Sequence, residues 1–207
     1  MIIVVTGGIG SGKSSVCRIL KERYGFHIYE ADSKVKQLYD IHPTLLDDIE
    51  EGLGRRLRDD NGRFKPSELS NVIFNDRSAL EKVESLVFPT LKEDFRQWMD
   101  GHDDGKPTVF ESATILEKPQ FDGFGDTTVL VDAPYAIRLG RAAQRDGDKA
   151  GVEARMSHQK LMNSLSDGAE DMRIDHVIDN SGTEDELTAK IDDFVRKIGY
   201  NTNVTQI

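Results

Sequence analysis

Short apolar runs at positions 2–6, 108–111, 128–132 and 175–178, with a weaker one at 27–29, are separated by stretches whose apolar residues recur at helical spacing. Runs this short and rich in β-branched residues read as strands buried on both faces. Their alternation with helices predicts an α/β fold with a parallel sheet covered on both sides. From 32 to about 101 the helical pattern is nearly continuous. Turn signals stand at Asp59-Asp60-Asn61-Gly62, and breaks are expected at Pro43, Pro66 and Pro89. This segment reads as a helical insert over the C-terminal edge of the sheet. A second polar, helical stretch runs from 134 to about 171 and places Arg141 and Arg145, four apart, on one helix face. Its position after a strand suits a mobile lid. The segment 101–106 reads as a surface loop, 182–197 as a closing amphipathic helix and 201–207 as a frayed end.

Composition narrows this frame. A chain of 207 residues buries one substantial core with a small insert, not two full-sized domains. A formal charge of −10 argues against a surface that holds nucleic acid or an anionic membrane, yet leaves room for a local basic pocket. No basic segment followed by a long apolar stretch opens the chain, which predicts a cytoplasmic protein without a signal peptide or a membrane span. The single cysteine, Cys17, has no partner for an intrachain disulfide and is expected in helix packing. The five histidines are scattered without ligand spacing, so no zinc site is expected. Oligomeric state leaves no trace in the sequence.

The chemistry begins where the first strand ends. Gly7-Gly8-Ile9-Gly10-Ser11-Gly12-Lys13-Ser14 satisfies G-x-x-x-x-G-K-[ST], follows an apolar strand and opens a helix carrying Val16, Ile19 and Leu20. Glycines let the backbone wrap with its N–H groups inward, and the helix N-terminus adds positive potential. Lys13 reaches the terminal phosphates of a nucleoside triphosphate, and Ser14 supplies a hydroxyl to Mg²⁺. The bare pattern arises by chance in a chain this long with odds on the order of one in a hundred, so a glycine turn that binds nothing is a poor alternative. The guanine-reading N-K-x-D pattern of a GTPase is absent, as is the strand ending in Asp-Glu expected of a larger motor or transport ATPase. A small-molecule kinase remains ahead.

Glu30-Ala31-Asp32 follows the second strand, at the sheet end where ligands bind. Spacing leaves Asp32 two even readings. It accepts the proton of an attacking hydroxyl, or it N-caps a helix beginning at Ser33. Glu111, ending the third strand, is a candidate for the outer sphere of Mg²⁺, and strand-end carboxylates often simply face solvent. Arg141, Arg145 and Arg155 suit closure over a triphosphate. By position they equally suit surface pairing with Asp146, Asp148 or Glu153.

The run Thr6-Gly7-Gly8-Ile9-Gly10-Ser11-Gly12-Lys13-Ser14-Ser15 resembles the opening of dephospho-CoA kinases, which phosphorylate the ribose 3′-hydroxyl of dephospho-CoA. Four further matches follow in order: Glu30-Ala31-Asp32, Arg141 to Asp146 (Arg-x₃-Arg-Asp), Arg155 to Gln159 (Arg-x₃-Gln) and Asp175 to Asn180 (Asp-x-x-Ile-x-Asn). The resemblance implies ATP and Mg²⁺, with Asp32 as catalytic base beside Lys13 and Arg141. Gly8, Ile9, Gly10, Ser11, Gly12, Lys13, Ser14, Ser15, Arg141 and Arg145 are then around the nucleotide, and Ser14 is on the metal. It further implies a P-loop kinase core with a five-stranded parallel sheet (1–31, 102–138 and 172–200), a helical acceptor-binding subdomain (32–101) and a lid (139–171). The departures fall in the acceptor half. Gly62-Arg63-Phe64-Lys65-Pro66 stands for Gly-x-apolar-x-Arg, Phe88-Pro89 for His-Pro, and Ala113-Thr114-Ile115-Leu116-Glu117 for Pro-Leu-Leu-x-Glu. Arg63 and Lys65 are the cations available to compensate at Pro66. The rival readings are a P-loop kinase for another hydroxylated acceptor and a non-catalytic ATP-binding module, which would have no need of Asp32 or the lid arginines.

Overall fold

The first strand, β1 (Ile2–Thr6), alternates between the two faces of a sheet, and Ile3, Val4 and Val5 are all buried, so both faces are covered. The computed structural model describes residues 1–200; the end at 201–207, expected to be frayed, lies outside the described residues. Beside β1 the sheet contains β2 (His27–Glu30), β3 (Thr108–Glu111), β4 (Thr127–Asp132) and β5 (His176–Asp179), in the order β2-β3-β1-β4-β5. All strands run parallel. Register places Ile3 beside Val109 and Thr127, and Leu130 beside Val177. The connection leaving β1 goes toward β2 and that leaving β4 goes toward β5. Such divergence opens a crevice at the strands' C-terminal ends.

The expected strands at 27–29, 128–132 and 175–178 are each found, the first two extended by one residue at one end and the last shifted by one residue to 176–179. One face of the sheet packs against α1 (Lys13–Tyr24) and α9 (Glu184–Lys197), with Ile3, Val5, Val16, Leu20, Val129 and Ile191 fully or almost fully buried. Each contributes roughly 1.5–3 kcal/mol of burial. Cys17 is buried in the same layer, as helix packing predicts. The closing helix starts at Glu184 rather than 182 because Thr183 is its N-cap, in a reciprocal capping box with Glu186. On the other face Phe110 meets Tyr29, Phe121 and Phe124. Two short 3₁₀ turns, Ile115–Glu117 and Pro119–Phe121, bring Phe121 there, and the apolar pattern did not forecast them.

The helical stretch after β4 divides into α6 (Tyr135–Asp146), α7 (Lys149–Ser157) and α8 (Lys160–Ser166). Gly147, in the left-handed region at φ 70°, ends α6, and the Asp148 carboxylate caps α7.

The chain separates into two compact units, Met1–Tyr29 with Asp104–Ile207, and Glu30–Asp103. The second holds α2 (Ala31–Ile41), α3 (Leu45–Leu53), α4 (Pro66–Asn75) and α5 (Arg77–Asp100). Pro66 opens α4 at its first turn, and the signals at 59–62 form a tight turn in which the Asp59 carboxylate accepts the N–H groups of Asn61 and Arg63. Pro89 does not break the chain as expected, since α5 runs through it. An interior proline costs about 3 kcal/mol. The helix persists because Ala79, Val83, Val87, Leu91 and Phe95, every fourth residue, are buried along one stripe while Pro89 faces solvent.

Candidate active site

The loop 7–12 leaves β1 at its C-terminal end and turns directly into α1. Its glycines are required by space as much as by torsion. Gly10 has φ 76° and a Cβ there would lie 2.1 Å from the Arg138 carbonyl oxygen; Gly12 has φ 96° and a Cβ would lie 2.0 Å from Asn180 Nδ2. Within the described residues no acceptor takes the N–H groups of Gly10, Gly12, Lys13 or Ser14. Free donors at a helix N-terminus, with the helix dipole behind them, form an anion cradle.

Lys13 belongs to this cradle. Its Nζ donates to the Gly7 carbonyl at 3.1 Å and lies 3.6 Å from Glu111 Oε1, with both side chains almost buried. Glu111, expected either near a metal or in solvent, is therefore the counter-ion that holds Lys13. The Ser14 hydroxyl is at the exposed entrance of α1, and Ser15 begins the helical hydrogen bonds through its N–H to the Gly12 carbonyl. Ser11 is fully buried and its hydroxyl has no partner within the described residues.

Three side chains from α6 onward hold the loop. Gln159 Oε1 accepts the Ile9 N–H at 2.9 Å, and the Ile9 side chain packs on Leu139, Ala142, Val152 and Met156 of α6 and α7. Asn180, buried after β5, donates from Nδ2 to the Ser11 carbonyl at 2.8 Å, while its own carbonyl accepts from Arg141 Nη1 at 2.9 Å. Arg141 is thus brought to the loop. Arg145 is not: it is largely exposed and donates to Asp146, which also pairs with Arg155. The Arg145 and then the Arg155 guanidinium hold the Asp146 carboxyl at about 2. For Arg145 and Arg155 the surface-pairing reading, with Asp146 as partner, describes this state.

Asp32 lies in the first turn of α2 and is exposed. It is not the N-cap, because the helix begins at Ala31 and Glu30 stands in the cap position without a side-chain cap bond. That removes one of the two readings of Asp32. Of the departures, Pro66 starts a helix, Phe88 is half-buried on α5, and Ala113 is half-buried after β3. Lys65 pairs with Glu68, whereas Arg63 is exposed with no ion-pair partner within the described residues.

Sequence reasoning missed the counter-ion role of Glu111. It had Gln159 and Asn180 only as ends of matched motifs, and overlooked Arg138 and Asp132 at the end of β4. Asp132, ending an apolar strand next to β1, carried the signal that could have found it.

A sequence model of the dephospho-CoA kinase family matches residues 1–186. A dephospho-CoA kinase of Porphyromonas gingivalis is 38% identical over 170 residues, covering 82% of each chain. A crystal structure of a Thermus thermophilus protein superposes with a TM-score of 0.79 at 23% identity, covering 96% of this chain and 97% of its own. The dephospho-CoA kinase from Campylobacter jejuni gives 0.63 at 20% identity over 95% and 96%. At these identities the two structures speak to the fold, which is that of the P-loop kinases.

Proposed function

Because this chain belongs to the dephospho-CoA kinase family, we infer that it transfers the γ-phosphate of ATP to the ribose 3′-hydroxyl of dephospho-CoA, giving coenzyme A and ADP. The observation that carries the reading is the set of N–H groups of Gly10, Gly12, Lys13 and Ser14, without an acceptor within the described residues, together with the Lys13 ammonium: a cradle shaped for the phosphates of a nucleoside triphosphate.

In this mechanism the N–H groups of Gly10, Gly12, Lys13 and Ser14 bind the phosphate chain, and the Lys13 ammonium leaves Glu111 or shares it to contact the oxygens that gain charge. The described residues hold no cluster of three or more acidic, histidine or cysteine side chains that would cage a metal, so Ser14 is the ligand this chain offers. A single hydroxyl beside substrate phosphates suits Mg²⁺, which keeps most of its shell as water and phosphate oxygen. Bound there, Mg²⁺ neutralises charge on the phosphates. Asp32 takes the proton of the 3′-hydroxyl as its oxygen bonds to phosphorus and the bond to the ADP oxygen breaks. Arg141 borders the nucleotide, and Arg145 exchanges Asp146 for phosphate when residues 139–171 act as a lid. Residues 32–101 receive the acceptor. Among the described residues no helix is long and apolar enough to cross a membrane, and we propose the cytoplasm as the compartment of the reaction.

Purified protein with Mg²⁺-ATP is expected to form coenzyme A from dephospho-CoA in preference to a panel of other hydroxylated nucleotides and sugars. Transfer to a panel member with none to dephospho-CoA would mean that Pro66, Phe88 and Ala113 have changed the acceptor. Arg145→Ala is expected to lower kcat about tenfold while Tm stays within a degree or two, since an exposed ion pair contributes at most about 1 kcal/mol. An unchanged kcat would remove Arg145 from the lid's chemistry.

A further inference from the structure

Arg138 is an almost buried cation whose terminal nitrogens have no hydrogen-bond partner within the described residues. It sits on the first turns of α6 and is 4% exposed, and its Nε donates to the Ala133 carbonyl at 3.0 Å. Asp132 Oδ1, 3.8 Å from Nε, is too far for a hydrogen bond and is itself a buried oxygen without a partner. Within the described residues nothing accepts from Nη1 or Nη2. Four N–H groups of a guanidinium thus have no protein acceptor within the described residues, although the residue as a whole is almost buried.

The neighbourhood says what would complete it. Nη1 lies against the phosphate loop, since a Cβ at Gly8 would come within 2.1 Å of it, and Met162 of α8 closes in at the same point. The Arg138 carbonyl supports Gly10 from the same side. Lys13 differs in being already held by Gly7 and Glu111. Besides Arg141, the loop therefore has beside it Lys13, which must exchange partners, and Arg138, whose terminal donors meet no acceptor within the described residues.

We propose that Arg138 is a direct contact for a phosphate oxygen of the triphosphate bound on the loop, donating from Nη1 and Nη2, and that the lack of a side chain at Gly8 is what lets it reach. The assignment rests on the reading of the loop as an ATP site. Planar guanidinium suits phosphate better than ammonium, so the position distinguishes Arg from Lys. The Nε bond to Ala133 and the Tyr135 ring, 6.0 Å from the guanidinium carbon, fix the group in advance.

The test is calorimetric binding of ATP, ADP and AMP to wild type, Arg138→Gln and Arg138→Lys, with Tm recorded without nucleotide. Wild-type ATP binding and coenzyme A formation test the underlying reading separately. Given wild-type ATP binding, Arg138→Gln is expected to weaken ATP about 10- to 100-fold, as loss of a charged hydrogen-bonding pair does, to change AMP less than threefold, and to leave Tm without nucleotide close to that of wild type. Arg138→Lys should fall between. Equal losses for AMP and ATP, or unchanged ATP affinity with a lowered Tm, would make Arg138 a brace for the loop and overturn the proposal. If Arg138→Gln does not fold, Arg138→Lys binding ATP as wild type does would overturn it too.

Discussion

Replacing Lys13 with Ala is expected to lower turnover about a hundred- to a thousandfold and to weaken ATP binding as well, because two effects act in the same direction. The first is loss of a cation from oxygens that gain charge as the γ-phosphate departs, a term of the size found when one preorganised donor is removed. The second comes from Glu111. Its carboxylate is almost buried, 3.6 Å from the Lys13 ammonium, and after the substitution its negative charge stays at the cradle without that ammonium. A phosphate chain would be repelled by it. The double variant Lys13→Ala, Glu111→Gln separates the two: ATP affinity should recover in part, whereas kcat should stay low. If Lys13→Ala keeps wild-type kcat, the ammonium is a structural tie to Glu111 and Gly7 and not a participant in transfer; if the double variant binds ATP no better than the single one, the Glu111 charge is not what weakens binding.

Those same residues show what a sequence makes legible. The strands were readable because each is a short run rich in β-branched or aromatic residues, those of the central β3, β1 and β4 covered on both faces while the edge strand β5 leaves Val177 exposed, and the loop 7–12 because its spacing is dictated by backbone geometry within one segment. Contacts between distant segments were not readable. Nothing local tells that Gln159 will accept the Ile9 N–H across 150 positions, or that Asn180 will hold the Ser11 carbonyl. Pro89 misled for a related reason. Local propensity sees the missing N–H, while the stripe of buried residues from Ala79 to Phe95 that outweighs it acts through tertiary packing. Arg138 escaped because burial, which turns an ordinary helix arginine into a candidate phosphate contact, is a property of the fold.

Asp32→Asn is expected to lower kcat by about 10²- to 10⁴-fold while ATP affinity changes less than twofold, the range covered by a positioned general base. The substitution keeps size and removes only the capacity to take a proton. Its side effect on folding is small and separable: a carboxylate in the first turn of α2 gains roughly 0.3–1 kcal/mol from the helix end, so Asn should lower stability by no more than that. Two measurements then distinguish a base from a helix-stabilising carboxylate. Asp32→Glu retains a proton acceptor at a shifted position and should recover part of the turnover lost in Asp32→Asn. The pH profile of kcat in Asp32→Asn should also lose an acidic limb present in wild type. Turnover within threefold of wild type in Asp32→Asn, or an acidic limb that survives the substitution, would leave Asp32 only its place in the first turn of α2 and send the search for the base to another carboxylate.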